Sequence, residues 1–433
     1  MIVLSGADLV LPGRVQPGGT LVIDGDRIVD IKAGPDSARS SATLGGHLIV
    51  PGFIDVHVHG VEGVDTLDGA DAIDRLSQLL PRFGVTAFCP TTVACGPEQL
   101  RGVLQRVNSL CELADSRARV LPAHLESNFI NPEFSGAQPI ACLRNIPGLS
   151  RPSTSSGRPE PVEGRRSSSE FGRAKPDASG LPAVAPARAE AGAFGGGDIL
   201  AEIDRAGDSV GIVTLAPELD GALDLIRHLV STGRIVSLGH SGATLDEGRA
   251  AIAAGARQAT HLFNRMPPLN HREPGLAGAV LGSEQIAAEV ICDGVHVHPQ
   301  MVRAAIALKG ASRVMAITDA VAAAGLPSGS TAKLGGREIH VSNSAAYLTD
   351  GTLAGSVATM DRVFRFLVRD AGLSLGDAAQ LCSTTPASEL KLTDLGTIAK
   401  GAIADLVVLD RDFTVKQTYV AGRLIYNSVK PQS

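Results

Sequence analysis

The sequence predicts an α/β fold, a (β/α)8 barrel of the TIM type with a small β-sandwich built from both chain ends. Three observations carry that expectation. From about Phe53 to about Ser383, eight short apolar runs alternate with stretches of helical periodicity. Strands alternating with helices form a parallel sheet, and eight units suit closure into a barrel of roughly 250 residues. Both chain ends carry short alternating strands and turn signals instead, too few at either end for a core of their own. The expected boundaries are 1–50 and 384–433 for the two parts of the sandwich and 51–383 for the barrel.

Residues 1–50 show turn signals at Pro12-Gly13, Gly18-Gly19 and Asp24-Gly25. The apolar start is interrupted by Ser5, Gly6 and Asp8 and lacks a basic region and a cleavage site, so it reads as a strand rather than a signal peptide. The barrel strands then read FIDVHVHG from Phe53, VTAFCPTT from Val85, RVLPAHLES from Arg119 and VGIVTLAPE from Val210. RIVSLGHS from Arg234, QATHLFN from Gln258, AAEVICDGVH from Ala287 and RVMAITDA from Arg313 complete the set. Most precede an amphipathic stretch; after the fourth, Leu223, Leu225, Ile226, Leu229 and Val230 recur at helical spacing. Residues 150–197, rich in Pro, Ser, Gly, Ala and Arg, cannot bury enough surface to offset their ordering entropy. They are expected to be a disordered insertion between the third strand and its helix.

With 44% hydrophobic and 19% charged residues, the chain can bury a large core, which excludes global disorder. A formal net charge of -6 argues against a general nucleic-acid or membrane-surface binder. No apolar run reaches the roughly 18 residues of a membrane span. The six cysteines are scattered without a C-x-x-C pair and read as free thiols in a reducing cytoplasm.

Polar residues recur at the C-terminal ends of the predicted strands, where barrels of this type place their working groups. His57 and His59 end the first strand, two apart and therefore on one face. Glu126 ends the third, with His124 on the same face just below; His240 ends the fifth, His261 lies within the sixth, and Asp319 closes the eighth. His47, His228 and His340 read as ordinary satisfied core histidines. Four histidines and two carboxylates on one rim call for a divalent cation, since burying them together without one is costly. Imidazole with carboxylate oxygen suits Zn first, or Fe, Co or Mn, as one ion or as two bridged by Glu126.

The motifs PGFIDVHVHG, HLE, SLGHSGATL, ATHLFNRMP, REPGLAGAVL, ICDGVHV and ITDA together resemble the N-acetylglucosamine-6-phosphate deacetylases of the metal-dependent amidohydrolase superfamily. The resemblance spans nearly the whole chain apart from the insertion. It implies Glu126, His240 and His261 as primary metal ligands and His57 and His59 as an additional site found in part of the family. It implies Asp319 as the catalytic acid/base. Asn264, Arg265 and Arg272 would hold the sugar phosphate, with His296 reaching in from a partner subunit. A cytoplasmic homodimer that returns acetylated amino sugars to central metabolism is the usual form.

Three departures cluster on one loop. Ser127 and Asn128 follow HLE where the family has Gly-Pro, Gln138 stands where it has a histidine on the substrate carbonyl, and the insertion begins soon after. A glutamine can donate a hydrogen bond but cannot become cationic. Two further readings stay open: an amidohydrolase of changed specificity, suggested by that loop, and a non-catalytic relative, against which the intact ligand set speaks.

Overall fold

The computed structural model describes residues 1–36, 41–111, 117–148, 195–342 and 345–428. Eight parallel strands run in sequential order: Phe53–Val58, Val85–Thr92, a third in two pieces (Arg119–Val120 and Ala123–Glu126), Val210–Leu215, Ile235–Leu238, Gln258–Ala259, Ala287–Ile291 and Val314–Ile317. The eighth meets the first through a Val58–Ala320 bridge and a hydrogen bond from Asp319 N to His57 O of 3.0 Å, which closes the barrel. The third strand is interrupted at Pro122, which has no N–H to give to the ladder.

Eight helices follow the strands in turn, from Ala72–Leu79 to Met360–Arg369. In Ala222–Ser231, Leu225, Ile226 and Leu229 are fully buried, as their spacing predicts, whereas Val230 is exposed. The helix after the third strand is Gly197–Ala206. Most of the expected insertion, 150–194, lies outside the described residues; its last part does not, since Gly195 bridges to Asn145.

Strands from the two chain ends join one eight-stranded sheet. The junction is Leu48–Pro51, antiparallel to Leu406–Leu409 and parallel to Ile2–Leu11. Leu4, Leu9, Leu21, Ile49, Leu406 and Val408 pack in a core separate from that of the barrel. Pro12-Gly13 and Gly25-Asp26 turn the chain between strands, but Gly18-Gly19 does not. That pair lies inside Arg14–Asp24, where the register to Ile2–Leu11 shifts and Asp8 accepts from Gly18 N at 3.0 Å.

A second sheet was not foreseen. Four antiparallel strands, Thr331–Leu334, Arg337–Ser342, Ala345–Leu348 and Leu353–Ser356, fill the loop after the eighth barrel strand. Gly335-Gly336 makes the first hairpin turn, both residues at positive φ, and that pair between two apolar-polar alternating runs is its signal in the sequence.

Candidate active site

Alternation along the first strand sends His57 and His59 to the same side, and both are buried. Glu126 ends the third strand on its own ladder. The other three groups come from chain that has just left the ladder. His240, His261 and Asp319 lie two residues beyond the last paired residue of their strands, not within or at the end of the ladder as expected, and their φ angles are 48°, 31° and 48°. Left-handed backbone in residues other than glycine is costly and is retained where the surroundings enforce it. Here it turns three side chains into the barrel mouth.

The six groups meet. Glu126 Oε1 lies 2.7 Å from His240 Nε2 and 2.8 Å from His261 Nε2. Its other oxygen is 3.5 Å from His59 Nε2. Asp319 Oδ1 stands 3.4 Å from His57 Nε2 and 3.3 Å from His59 Nε2. The two ring nitrogens of each histidine pair also face each other, at 3.1 Å for His240 and His261 and 3.2 Å for His57 and His59.

This arrangement fits a divalent cation. The carbonyl of Phe134 accepts from His240 Nδ1 at 2.8 Å, so the lone pair of that ring sits on Nε2. A lone pair aimed at a carboxylate and at a second imidazole nitrogen is repulsive unless positive charge lies among them. Glu126, His240 and His261 form one group with ligand atoms mutually within 4.8 Å, and His57, His59 and Glu126 form another. The pKa shifts express the same demand. Burial works against protonating His261, yet its bond to Glu126 and that carboxylate's charge push it up to about 9. Burial would raise Glu126, but His240 and His261 hold it well below the usual carboxylate range. Asp319 is lowered against its burial by His57 and His59.

His124 takes no part. Its Nδ1 donates to Val56 O at 2.9 Å and its Nε2 faces Thr214 Oγ1 at 2.8 Å, so it ties strands together inside the barrel. His47, His228 and His340 are not core residues: His340 is exposed, His47 is half-buried, and half-buried His228 pairs with Asp204 at 2.9 Å.

A cavity of about 450 Å³ opens above the cluster. Gln138, Asn264, Arg265 and His296 line it together with the ligand-type residues. Gln138 accepts from Ala94 N at 2.7 Å through Oε1 and donates to Glu126 Oε2 through Nε2, so its amide is fixed in one orientation. His296, expected to reach in from a partner subunit, lines the cavity of its own chain, with Nδ1 held by Asp293 at 2.7 Å. Arg272, expected at the sugar phosphate, is exposed and lies outside that lining. Its backbone N–H bonds Asn270 Oδ1 at 2.9 Å in a local turn.

The family model for the amidohydrolase family matches residues 198–425, more than half of the sequence. The chain belongs to the amidohydrolase family. Among relatives of this amidohydrolase is the mouse N-acetylglucosamine-6-phosphate deacetylase, 35% identical over 96% of this chain and 94% of the relative. The N-acetylgalactosamine-6-phosphate deacetylase of Escherichia coli O157:H7 is 32% identical over 87% of each. A mutant N-acetyl-D-glucosamine-6-phosphate deacetylase from Mycobacterium smegmatis, solved with N-acetyl-D-glucosamine-6-phosphate, superposes with a TM-score of 0.80. It is 32% identical, covering 98% of this chain and 99% of that one.

Two acids of this amidohydrolase escaped the reading of its sequence. Glu218, after the fourth strand, accepts from Asn131 Nδ2, Ser241 Oγ and Gly242 N at 2.9, 2.7 and 2.6 Å, fastening the turn that carries His240. Glu289, inside the seventh strand, sits 2.9 Å from His57 Nδ1. A charged residue in the middle of an otherwise apolar run, AAEVI, was the signal for the second; nothing local marked the first.

Proposed function

We propose that the protein hydrolyses the N-acetyl group of N-acetylglucosamine 6-phosphate, giving glucosamine 6-phosphate and acetate. One observation carries this reading: Glu126, His240 and His261 converge beside Asp319 beneath a cavity lined with sugar- and phosphate-type partners. Glu126, His240 and His261 would hold a divalent ion, Zn first and otherwise Fe, Co or Mn, with His57 and His59 available for a second. Such an ion supplies Lewis acidity, which polarises the acetyl carbonyl and makes water a nucleophile near neutral pH.

The protein's own groups do the rest. Asp319, kept ionised by the neighbouring imidazoles, accepts the proton of the attacking water and returns it to the leaving nitrogen. Gln138 commits one amide hydrogen to Glu126 and leaves the other to donate to the acetyl oxygen. Arg265 and His296 face the phosphate, and Asn264 a sugar oxygen; Arg272 has no role in the pocket of its own chain. The relatives' names support a hexosamine 6-phosphate of either epimer, and the greater number support the gluco form. A homodimer in the cytoplasm serving amino-sugar breakdown agrees with the motif resemblance. Among the described residues no helix is long and apolar enough to cross a membrane.

The test is amine release from the sugar phosphate by metal-loaded protein, lost on chelation and regained on adding metal back. No turnover, with cleavage of an unphosphorylated acyl amide instead, points to changed specificity. A purified chain that takes up no stoichiometric metal points to a non-catalytic relative.

A further inference from the structure

We infer that Glu289 is a positioning residue whose carboxylate fixes the ring of His57 so that Nε2 of that histidine is presented to a divalent cation. The inference rests on reading the histidine–carboxylate cluster as a metal centre.

Glu289 is fully buried in the wall of the barrel. Its Oε2 lies 2.9 Å from His57 Nδ1, and its Oε1 has no hydrogen-bond partner among the described residues. Such a carboxylate is expensive to keep, because desolvation costs several kcal/mol unless it is compensated. Among the described ion pairs no lysine or arginine reaches it; the nearest ionisable partners are His57 and His124.

Histidine 124 does not need it. With Nδ1 donating to Val56 O and Nε2 against Thr214, its ring is already satisfied, and its Nδ1 has no lone pair for an ion between His57, His124 and Glu289. The remaining partner is His57, whose Nε2 faces Asp319 and Glu126 at 3.4 and 3.8 Å. A cation at Nε2 requires the lone pair there, which puts the ring proton on Nδ1, where Glu289 accepts it. A carboxylate behind a ligating imidazole fixes its tautomer and ring angle and raises its basicity.

Cobalt(II) titration of the ion-free full-length chain, followed by visible absorption, tests this. The binding step that His57→Asn weakens is the His57-dependent one. Glu289→Met should weaken the same step about 10–100-fold and leave other steps unchanged. Glu289→Gln, whose amide oxygen can still accept from Nδ1 but carries no charge, should recover only part of the loss, and the melting temperature of ion-free Glu289→Met should not fall. The inference is overturned if Glu289→Met leaves that step unchanged, or if both variants weaken every step alike and melt earlier. Should the Met variant not fold, the Gln variant decides: weakening confined to the His57 step supports the assignment, whereas none, or an even loss, overturns it. A wild-type chain that takes up no cobalt fails the metal-centre reading itself; normal uptake that ignores both His57→Asn and Glu289→Met fails only the role of Glu289.

Discussion

Asp319 combines two properties that a proton-transfer group needs: it touches the cluster through His57 and His59, and its backbone φ of 48° aims it into the cavity. Asp319→Asn keeps the shape and a hydrogen-bonding oxygen but removes the proton acceptor. Turnover is expected to fall about 10²–10⁴-fold while metal content stays at the wild-type level, which elemental analysis alongside steady-state rates would check. A parallel loss of metal would make Asp319 a ligand first. Gln138 poses a different question, because its amide is shared between Ala94 N–H and Glu126 before any substrate arrives. Gln138→Ala removes the donor and leaves the Ala94 amide unsatisfied, so a loss of up to about 10²–10³ in rate is expected. Gln138→His should hold or raise the rate on the sugar phosphate; a fall would mean that the glutamine serves another substrate.

At the scale of the element, the loops after the third, fourth and fifth strands act as one unit around Glu218. Its carboxylate receives three donors, and Asn131 N–H bonds the carbonyl of His240 at 3.0 Å. Glu218→Ala strands the Gly242 amide and loosens the turn that presents His240, so metal affinity is expected to drop about 10–100-fold. The check is a metal titration of the variant beside wild type; unchanged affinity would show that the turn holds itself. None of this was legible in the sequence, because Glu218 acts through tertiary bonds to residues 23 to 87 positions away. What was legible follows from periodicity. Val85–Thr92 and Val210–Leu215 begin where their apolar runs begin, and Glu126 stands at the end of the third strand. The sixth strand departs from its periodicity. QATHLFN reads as seven residues of strand, but only Gln258 and Ala259 pair, because His261 and Phe263 take positive φ to serve the mouth. Local propensity cannot foresee a backbone that the site bends against it. The sheet spanning 331–356 was missed for the opposite reason: its hairpin signal is plain, but the stretch was counted within the barrel, 51–383. Arg272 lies outside the cavity of its own chain, because a motif fixes identity and order, not where a loop places a residue.

The whole molecule depends on how the barrel is fastened to the sheet formed by the chain ends. Asp405 stands at the junction, 4% exposed, just before the strand Leu406–Leu409. Arg119 from the third barrel strand grips it with two bonds, Nε to Oδ2 at 3.1 Å and Nη2 to Oδ1 at 3.2 Å. Ala421 N–H bonds the same carboxylate at 2.7 Å, and Gly52 N–H bonds the Asp405 carbonyl at 2.8 Å, so four stretches of chain meet at one residue. Burial pushes the Asp405 pKa up, although Arg119 opposes the shift. Arg119→Met keeps the volume of the side chain stem and leaves the carboxylate buried without its cation. Breaking a buried pair in this way costs about 3–5 kcal/mol, and the low end applies because the arginine is partly exposed to water. The expected result is a clear drop in melting temperature with turnover at low temperature unchanged, since Asp405 touches no residue of the cluster. Adding Asp405→Asn to Arg119→Met should restore part of the loss, because a neutral amide tolerates burial and can still accept from Ala421. If the double variant melts no higher than Arg119→Met alone, the stranded charge is not what destabilises the junction, and the packing of the arginine stem carries the effect instead.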